Sequence, residues 1–340
     1  MKLTKNQIEQ IAVGIVEVKN IDKYVRLYRF TDEQIAMYAE YMEGCFSEKT
    51  HVSAGVKLAF NTDSKYLKLK GVSSFAGSRS YYAIDLVVND EYKDSITNFI
   101  DSGKNDYFWR TFPLGDFEKE FQLGDGEKVV EIYLPFAVAI DFEEISVDDG
   151  AFIEPIKAKH KGLLFGDSIT QGYDCLYPSK HYAVKLSKFL DTDFVNKAIG
   201  GEMFNPRLAK LKDDVDPDYI LIAYGTNDWN RTFDFEQVRK NCKEFYQLVR
   251  NNYKKTKIFA IAPIWRKITP EEREEKSFEF SMVAKIIKEA TKNLDNVVFI
   301  DGIDFVPHDE SLYGDFRLHP NDSGFKHYAE NLCKAIKDKL

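Results

Sequence analysis

The second half of the chain alternates short apolar runs with long amphipathic segments, and this alternation constrains the fold more than any other feature. Strand-like runs lie at 162–166 (GLLFG), 193–196 (DFVN), 218–224 (DYILIAY), 256–262 (TKIFAIA) and 296–301 (NVVFID). Helical patterns lie between and after them, at 180–190, 235–253, 271–293 and 322–338. Strands joined by helices pair in parallel and bury both faces. The pattern therefore predicts an α/β fold, a flavodoxin-like five-stranded parallel sheet with helices on both faces. Ligands of such sheets bind beyond the carboxyl ends of the strands. The loops at 166–172, 197–206, 225–233, 263–269 and 302–319 are thus the places to look for chemistry.

The first half has a different texture. Runs at 54–60 (AGVKLAF), 65–70 (KYLKLK), 81–89 (YYAIDLVVN) and 128–134 (KVVEIYL) are short and rich in β-branched and aromatic residues. Turn clusters separate them, which predicts an all-β sandwich or jelly roll. The aromatic stretch 105–113 is read as a further strand, and 31–43 as a short helix. With 340 residues there is room for two domains. The expected division is a β-sandwich over 1–155 and an α/β domain over 156–340, with the linker inside 147–161.

Charge follows the same division. The formal net charge of −8 argues against a broad nucleic-acid or anionic-membrane surface. Residues 1–150 hold 17 Lys and Arg against 26 Asp and Glu, and 151–340 hold 30 against 29. The acidic excess therefore belongs to the strand-rich half. No apolar run approaches the roughly 20 residues of a membrane span. The N-terminal stretch lacks the pattern of a secretory signal, so a cytoplasmic location is expected. Cys45, Cys175, Cys242 and Cys333 are far apart and form no CxxC pair. They fit buried or free thiols, not a disulfide framework or a structural metal.

Four loops carry residues of catalytic type. GDSITQG (166–172) follows the first strand, and Ser168 is placed there either as a nucleophile or as a helix N-cap. NKAIGGEMFNP follows the second strand; its paired Gly200 and Gly201 are an ordinary turn or backbone donors to an oxyanion. AYGTNDWN ends the third strand, and Asn227 is a turn residue or a side-chain oxyanion donor. GDFRLHPNDSGF lies near the C-terminus, with His319 just before a helix, where a neutral imidazole can act as general base. The other histidines, His51, His160, His181, His308 and His327, have no comparable setting. The sheet topology brings all four loops to one edge, which is the constellation for acyl transfer.

GDSIT, the Gly-Gly of NKAIGG, GTND and HPND resemble the successive motif blocks of the SGNH (GDSL-type) hydrolases, over about residues 160–340. The resemblance implies that Ser168 is the nucleophile and gives its own N–H to the oxyanion hole. Gly201 matches the family's glycine donor, counted as N-x-x-x-x-G from Asn196; Asn227 matches the side-chain donor and His319 the base. The strand-rich half resembles the jelly-roll module of two-domain carbohydrate esterases in this family.

One departure stands out. The family places its triad Asp three residues before the His, and that position here is Phe316. Asp315, four before, is the expected partner of His319 through a small loop adjustment; otherwise a backbone carbonyl orients a Ser-His dyad. Asp322 is read as a cap of the final helix. Trp229, Trp265 and Tyr173 are expected to line the substrate pocket, where flat rings suit a sugar face or small acyl group. Arg266 is a solvated arginine or a contact to substrate oxygens.

The expected function is a serine esterase acting on short acyl esters, foremost O-acetyl groups of carbohydrates, with no metal and no organic cofactor. The expected partner is a small-molecule or oligosaccharide ester, with no nucleic acid and no membrane; homo-oligomerisation is left open. The alternatives are a longer-chain lipid esterase or thioesterase, and a carbohydrate-binding protein without turnover.

Overall fold

The computed structural model describes residues 1–101, 103, 107–231 and 234–340, with the backbone alone for Trp109. The chain forms two compact units: Met1–Ala158 with Leu176–Ser179, and Lys159–Cys175 with Lys180–Leu340.

The first unit is built on two antiparallel sheets. One runs in the order Ala12–Val13, Lys57–Thr62, Lys128–Tyr133, Ala83–Val88, Glu91–Thr97, and Glu154–Pro155 also pairs with Lys57–Thr62. The other runs Glu17–Ile21, Tyr24–Tyr28, Val138–Val147, Tyr66–Phe75, Asp116–Gln122. Alternation explains their faces. In Tyr66–Phe75, Leu67 and Leu69 point inward while Lys68 and Lys70 stay at the outer face, paired with Glu118 and Glu143. Phe60, Ile84 and Ile132 from one sheet and Leu67, Phe117 and Ile140 from the other share one buried cluster. A sandwich follows from that shared core.

Several elements depart from the sequence pattern. Residues 107–109 form a 3₁₀ turn and 110–113 are irregular; 105 and 106 lie outside the described residues. The expected strand at 105–113 is replaced by Asp116–Gln122, an edge strand that buries only Phe117 and Phe121 of its two faces. Val138–Val147 was hidden by a bulge between Phe142 and Glu144, which breaks the period of two. The stretch 147–161 is not an open linker, because Glu154 and Pro155 pair with Asn61 and Phe60. The helix expected at 31–43 occupies Asp32–Glu40, started by a capping box between Thr31 and Gln34.

The second unit is the α/β fold that the alternation predicts. His160–Gly166, Thr192–Asn196, Tyr219–Ala223, Lys257–Ile261 and Val297–Ile300 form a parallel sheet. In chain order the strands lie 2-1-3-4-5, the flavodoxin-like arrangement with its switch point beside the first strand. Neighbouring residues of the first strand serve opposite faces. Leu164 joins the core beneath Tyr182–Leu190 and Asp322–Lys337, and Phe165 meets Phe245 of Phe235–Asn252 edge to face. Helix Asp322–Lys337 buries Phe325, Tyr328, Ala329, Leu332, Cys333 and Ile336, a 3-4 spacing that keeps one stripe on the sheet. Its Tyr328 stacks on Tyr182 at 4.4 Å.

The pattern at 271–293 divides into two helices, Pro270–Glu275 and Met282–Thr291. Between them Trp229 Nε1 donates to the Phe278 carbonyl at 2.9 Å, and the Phe278 and Phe280 rings pack on Phe235 and Trp229. These contacts fix the segment between the two helices against Trp229 and Phe235. None of the four cysteines is in a disulfide, and Cys175, Cys242 and Cys333 are buried. Among the described residues no helix is long and apolar enough to cross a membrane.

His181 gives this unit a pH response that the sequence did not signal. It caps Tyr182–Leu190, with Nδ1 accepting from the Ala183 N–H at 3.3 Å and Nε2 facing the Ile169 carbonyl at 3.1 Å. An acceptor at Nδ1 and a donor at Nε2 define a neutral ring. Burial pushes its pKa down to about 4. The unfolded chain therefore protonates first, and stability falls as pH drops from about 6.5 towards 4. At pH 5 this group is expected to cost about 2 kcal/mol of unfolding free energy relative to neutral pH. Urea unfolding of wild type and His181→Asn at pH 7 and pH 5 checks it: the advantage of wild type should shrink at pH 5. Equal differences at both pH values would refute the assignment.

Candidate active site

The site is assembled at the carboxyl edge of the parallel sheet. After the first strand the chain turns into a one-turn helix, Ser168–Gln171. Its N-cap is Asp167, whose Oδ1 accepts from the Ile169 N–H at 3.0 Å. The capping role left open for Ser168 is therefore filled by its neighbour, and the serine hydroxyl is available for other work. Ser168 Oγ lies 2.7 Å from His319 Nε2.

On the other side of the ring, His319 Nδ1 lies 2.7 Å from Asp315 Oδ2. A carboxylate can only accept, so Nδ1 carries the proton and Nε2 is left to accept from the serine hydroxyl. Asp315 Oδ1 also accepts from the N–H groups of Arg317, Leu318 and His319 at 3.0, 2.7 and 3.1 Å. Phe316 sits between with φ +56, and this left-handed residue is the loop adjustment that brings an acid four positions away to the ring. Burial alone would raise the Asp315 carboxyl. The bond and charge of His319 and the backbone N–H groups overcome it and hold the carboxyl well below the usual range.

Three donors follow the first three strands of the sheet, at the edge that carries Ser168. Its own N–H is at the start of a helix, where backbone donors lack intrahelical partners. The Gly200 N–H is used, donating to Gln171 Oε1 at 2.6 Å. Gly201 has φ +91, and its N–H meets no intramolecular acceptor among the described residues. Gly200 is needed for another reason: a Cβ there would lie 2.5 Å from the Tyr173 ring. Asn227 opens the helix Thr226–Arg231, and its Nδ2 donates one hydrogen to the Glu202 carbonyl at 3.0 Å, leaving the second. Asn196 ties the pieces together, donating to the Thr170 carbonyl at 2.7 Å and accepting from the Ala198 N–H at 2.9 Å.

Burial raises two acids beneath the site. Asp167 is pushed up to about 6, against the Ile169 N–H and the positive charge of His319. Asp228 is pushed up to about 7, with the Phe204 N–H as its main opposing bond.

The tryptophans part company. Trp229 is 2% exposed, bonded to Phe278 and packed on Phe280, so it is core and not a pocket wall. Trp265 is half-buried, stacked on His308 at 5.2 Å and leaning on Tyr313. Tyr173 is buried with its ring 5.4 Å from that of His319. Arg266 is neither solvated nor free. It is buried over the Trp229 ring, donates to Thr226 Oγ1 at 3.2 Å and pairs with Glu272, which also holds Arg317. Burial and the charge of Arg317 lower its pKa to about 10. The cap of the final helix is Asn321, whereas Asp322 is the first helical residue and pairs with Lys180 at 3.0 Å.

Sequence reasoning passed over Asp174, whose Oδ2 lies 3.5 Å from His319 Nδ1. Its only signal was nearness in the chain to the GDSITQG block. Asp174, Asp315 and His319 have ligand-type atoms within 4.8 Å of one another. A metal would need the Nδ1 lone pair that the bond to Asp315 occupies with a proton, so the hydrogen bonding favours proton transfer.

Comparison with known proteins agrees with this architecture. No curated protein matches the chain. The model of the GDSL-like lipase/acylhydrolase family matches residues 164–327. A salicylyl-acyltransferase from a tetracycline biosynthetic pathway shares the fold at a TM-score of 0.77 and 20% identity, over 96% of this chain and 94% of that one. A GDSL-like lipase-type structure from Bacteroides ovatus matches at 0.73 and 21% identity, over 99% and 97%. A family two carbohydrate esterase from Clostridium thermocellum matches at 0.63 and 16%, over 85% and 93%. These likenesses extend over both units, so the combination of a β unit with this α/β unit recurs. The α/β unit that carries Ser168, Asn227 and His319 is a domain of the GDSL-like lipase/acylhydrolase family.

Proposed function

We propose that the protein is a serine esterase that removes short acyl groups, O-acetyl above all, from carbohydrates. The observation that carries the reading is the chain of two 2.7 Å bonds from Ser168 through His319 to Asp315. His319 Nε2 takes the Ser168 proton as Oγ attacks the ester carbonyl. The N–H groups of Ser168 and Gly201 and the Asn227 amide receive the oxyanion. The alcohol leaves with the proton from His319, and water attacks the acyl-enzyme by the same route. No cofactor enters this scheme.

The carbohydrate acetyl substrate is supported by the likeness to family two carbohydrate esterases, one of the similar structures being an acetyl xylan esterase. The likeness to an acyltransferase raises a second reading, in which a hydroxyl acceptor replaces water at the acyl-enzyme. A panel of acetylated oligosaccharides, with released acetate and acetylated acceptor both measured, separates the two. Acetate release that dominates at all acceptor concentrations is the expected result. Turnover of octanoyl esters well above acetyl esters would instead favour a lipid esterase, and glycan binding without turnover would leave only a binding protein.

A further inference from the structure

The Nδ1 edge of His319 faces two acids, and only one is needed to orient the ring. We propose that Asp174 is a second carboxylate acting on His319, a positioning residue that raises the basicity of the imidazole through its charge. This rests on the reading of Ser168 as nucleophile and His319 as base.

The geometry is built for it. Gly172 ends the nucleophile helix at φ +115, and the Tyr173 N–H returns to the Ser168 carbonyl at 2.9 Å. This turn places the Tyr173 ring against the imidazole and sets Asp174 at φ +65. Asp tolerates that left-handed conformation better than most side chains. Gly314, on the histidine loop, makes room for it, since a Cβ there would come within 2.6 Å of the Asp174 Cβ. The Gly314 N–H donates to the His319 carbonyl at 2.8 Å, so the loop that accepts Asp174 is the loop that carries the base. The Asp174 side chain is 3% exposed, so water screens it little.

The two acids act differently. The single Nδ1 proton goes to Asp315 Oδ2 at 2.7 Å, whereas Asp174 Oδ2, at 3.5 Å, acts on the ring by its charge. When Ser168 attacks, its O–H bond breaks, the Oγ–carbon bond forms and the proton passes to Nε2. The ring is then an imidazolium facing both carboxylates. Other charges of the same unit near it include buried Asp167 and the Arg266–Glu272–Arg317 cluster that holds the histidine loop. Tyr173 covers the ring without adding charge.

The test needs no knowledge of the natural substrate. A small alkyl fluorophosphonate labels an activated serine, the Oγ–phosphorus bond forming as fluoride leaves, and the rate follows the unprotonated fraction of the base. Removing a negative charge beside His319 lowers its pKa, so the rise of labelling with pH should begin earlier. In Asp174→Asn the midpoint is expected about one pH unit below wild type. The plateau at high pH should fall about 2- to 3-fold, because a weaker base removes the proton less well. The two curves then cross about half a pH unit or less below the wild-type midpoint, with the variant faster at lower pH. Asp174→Glu should restore the midpoint, and Asp174→Gly, unstrained at this φ, is the second neutral variant should Asn disturb folding. Superimposed profiles, or a lower plateau with an unmoved midpoint, would overturn the proposal. Failure of the wild-type protein to label at Ser168 would remove the nucleophile reading itself, and the proposal with it.

Discussion

Ser168→Ala is expected to lower kcat on nitrophenyl acetate by at least about 10³-fold, leaving only what the oxyanion donors and binding can supply. Nothing else in the site can replace the missing Oγ, since the next residues of the helix, Ile169 and Thr170, are buried in other contacts: Thr170 Oγ1 accepts from the Tyr182 hydroxyl at 3.0 Å. Folding should scarcely change. The helix is capped by Asp167 and the Ser168 hydroxyl bonds to His319, so its removal leaves no cap unfilled. A melting temperature within a few degrees of wild type, beside a lost kcat, is the expected pair of results. Retained turnover in a folded variant would move the nucleophile elsewhere.

The second large effect is expected at Asp315. Asp315→Asn keeps Oδ1 and with it the three backbone bonds from Arg317, Leu318 and His319 that shape the loop. What changes is the atom facing Nδ1. An amide NH₂ there donates, so the ring accepts at Nδ1 and carries its proton on Nε2, where it can no longer receive one from Ser168. A fall in kcat of about 10²- to 10⁴-fold with little change in KM is expected. A rate near that of wild type would remove Asp315 from the mechanism and leave a Ser168–His319 dyad. The same substitution in a variant that also lacks the Asp174 charge should fall further, since both acids face one ring nitrogen.

How much of this was legible beforehand depended on range. The five parallel strands and the final helix were read within a few residues, because each is a local run whose period reports its burial. The strand order 2-1-3-4-5 then delivers the loops of Ser168, Gly201, Asn227 and His319 to one edge. The β unit was harder. Glu91–Thr97 exposes most of its side chains and Asp116–Gln122 is an edge strand, so neither carries a strong alternating signal. The pattern at 271–293 is interrupted where the segment between its two helices packs on Trp229 and Phe235, a tertiary contact that local periodicity does not report. Trp229 itself was misplaced because a tryptophan beside a motif gives no sign of which way its ring turns.

The amino-acid order alone settled the α/β class of the second half and its motif blocks, and it drew attention to Ser168, Gly201, Asn227 and His319. These are properties of local pattern and of the topology that such patterns allow. Only the tertiary structure could decide which acid meets the histidine, because the answer turns on Phe316 in a left-handed conformation and on three backbone donors converging on one carboxylate oxygen. The same holds for Asp174, which reaches the ring through a turn after the nucleophile helix and a glycine 140 positions later. Such contacts join residues from separate loops, and their distances are set by packing, which no single stretch of sequence encodes.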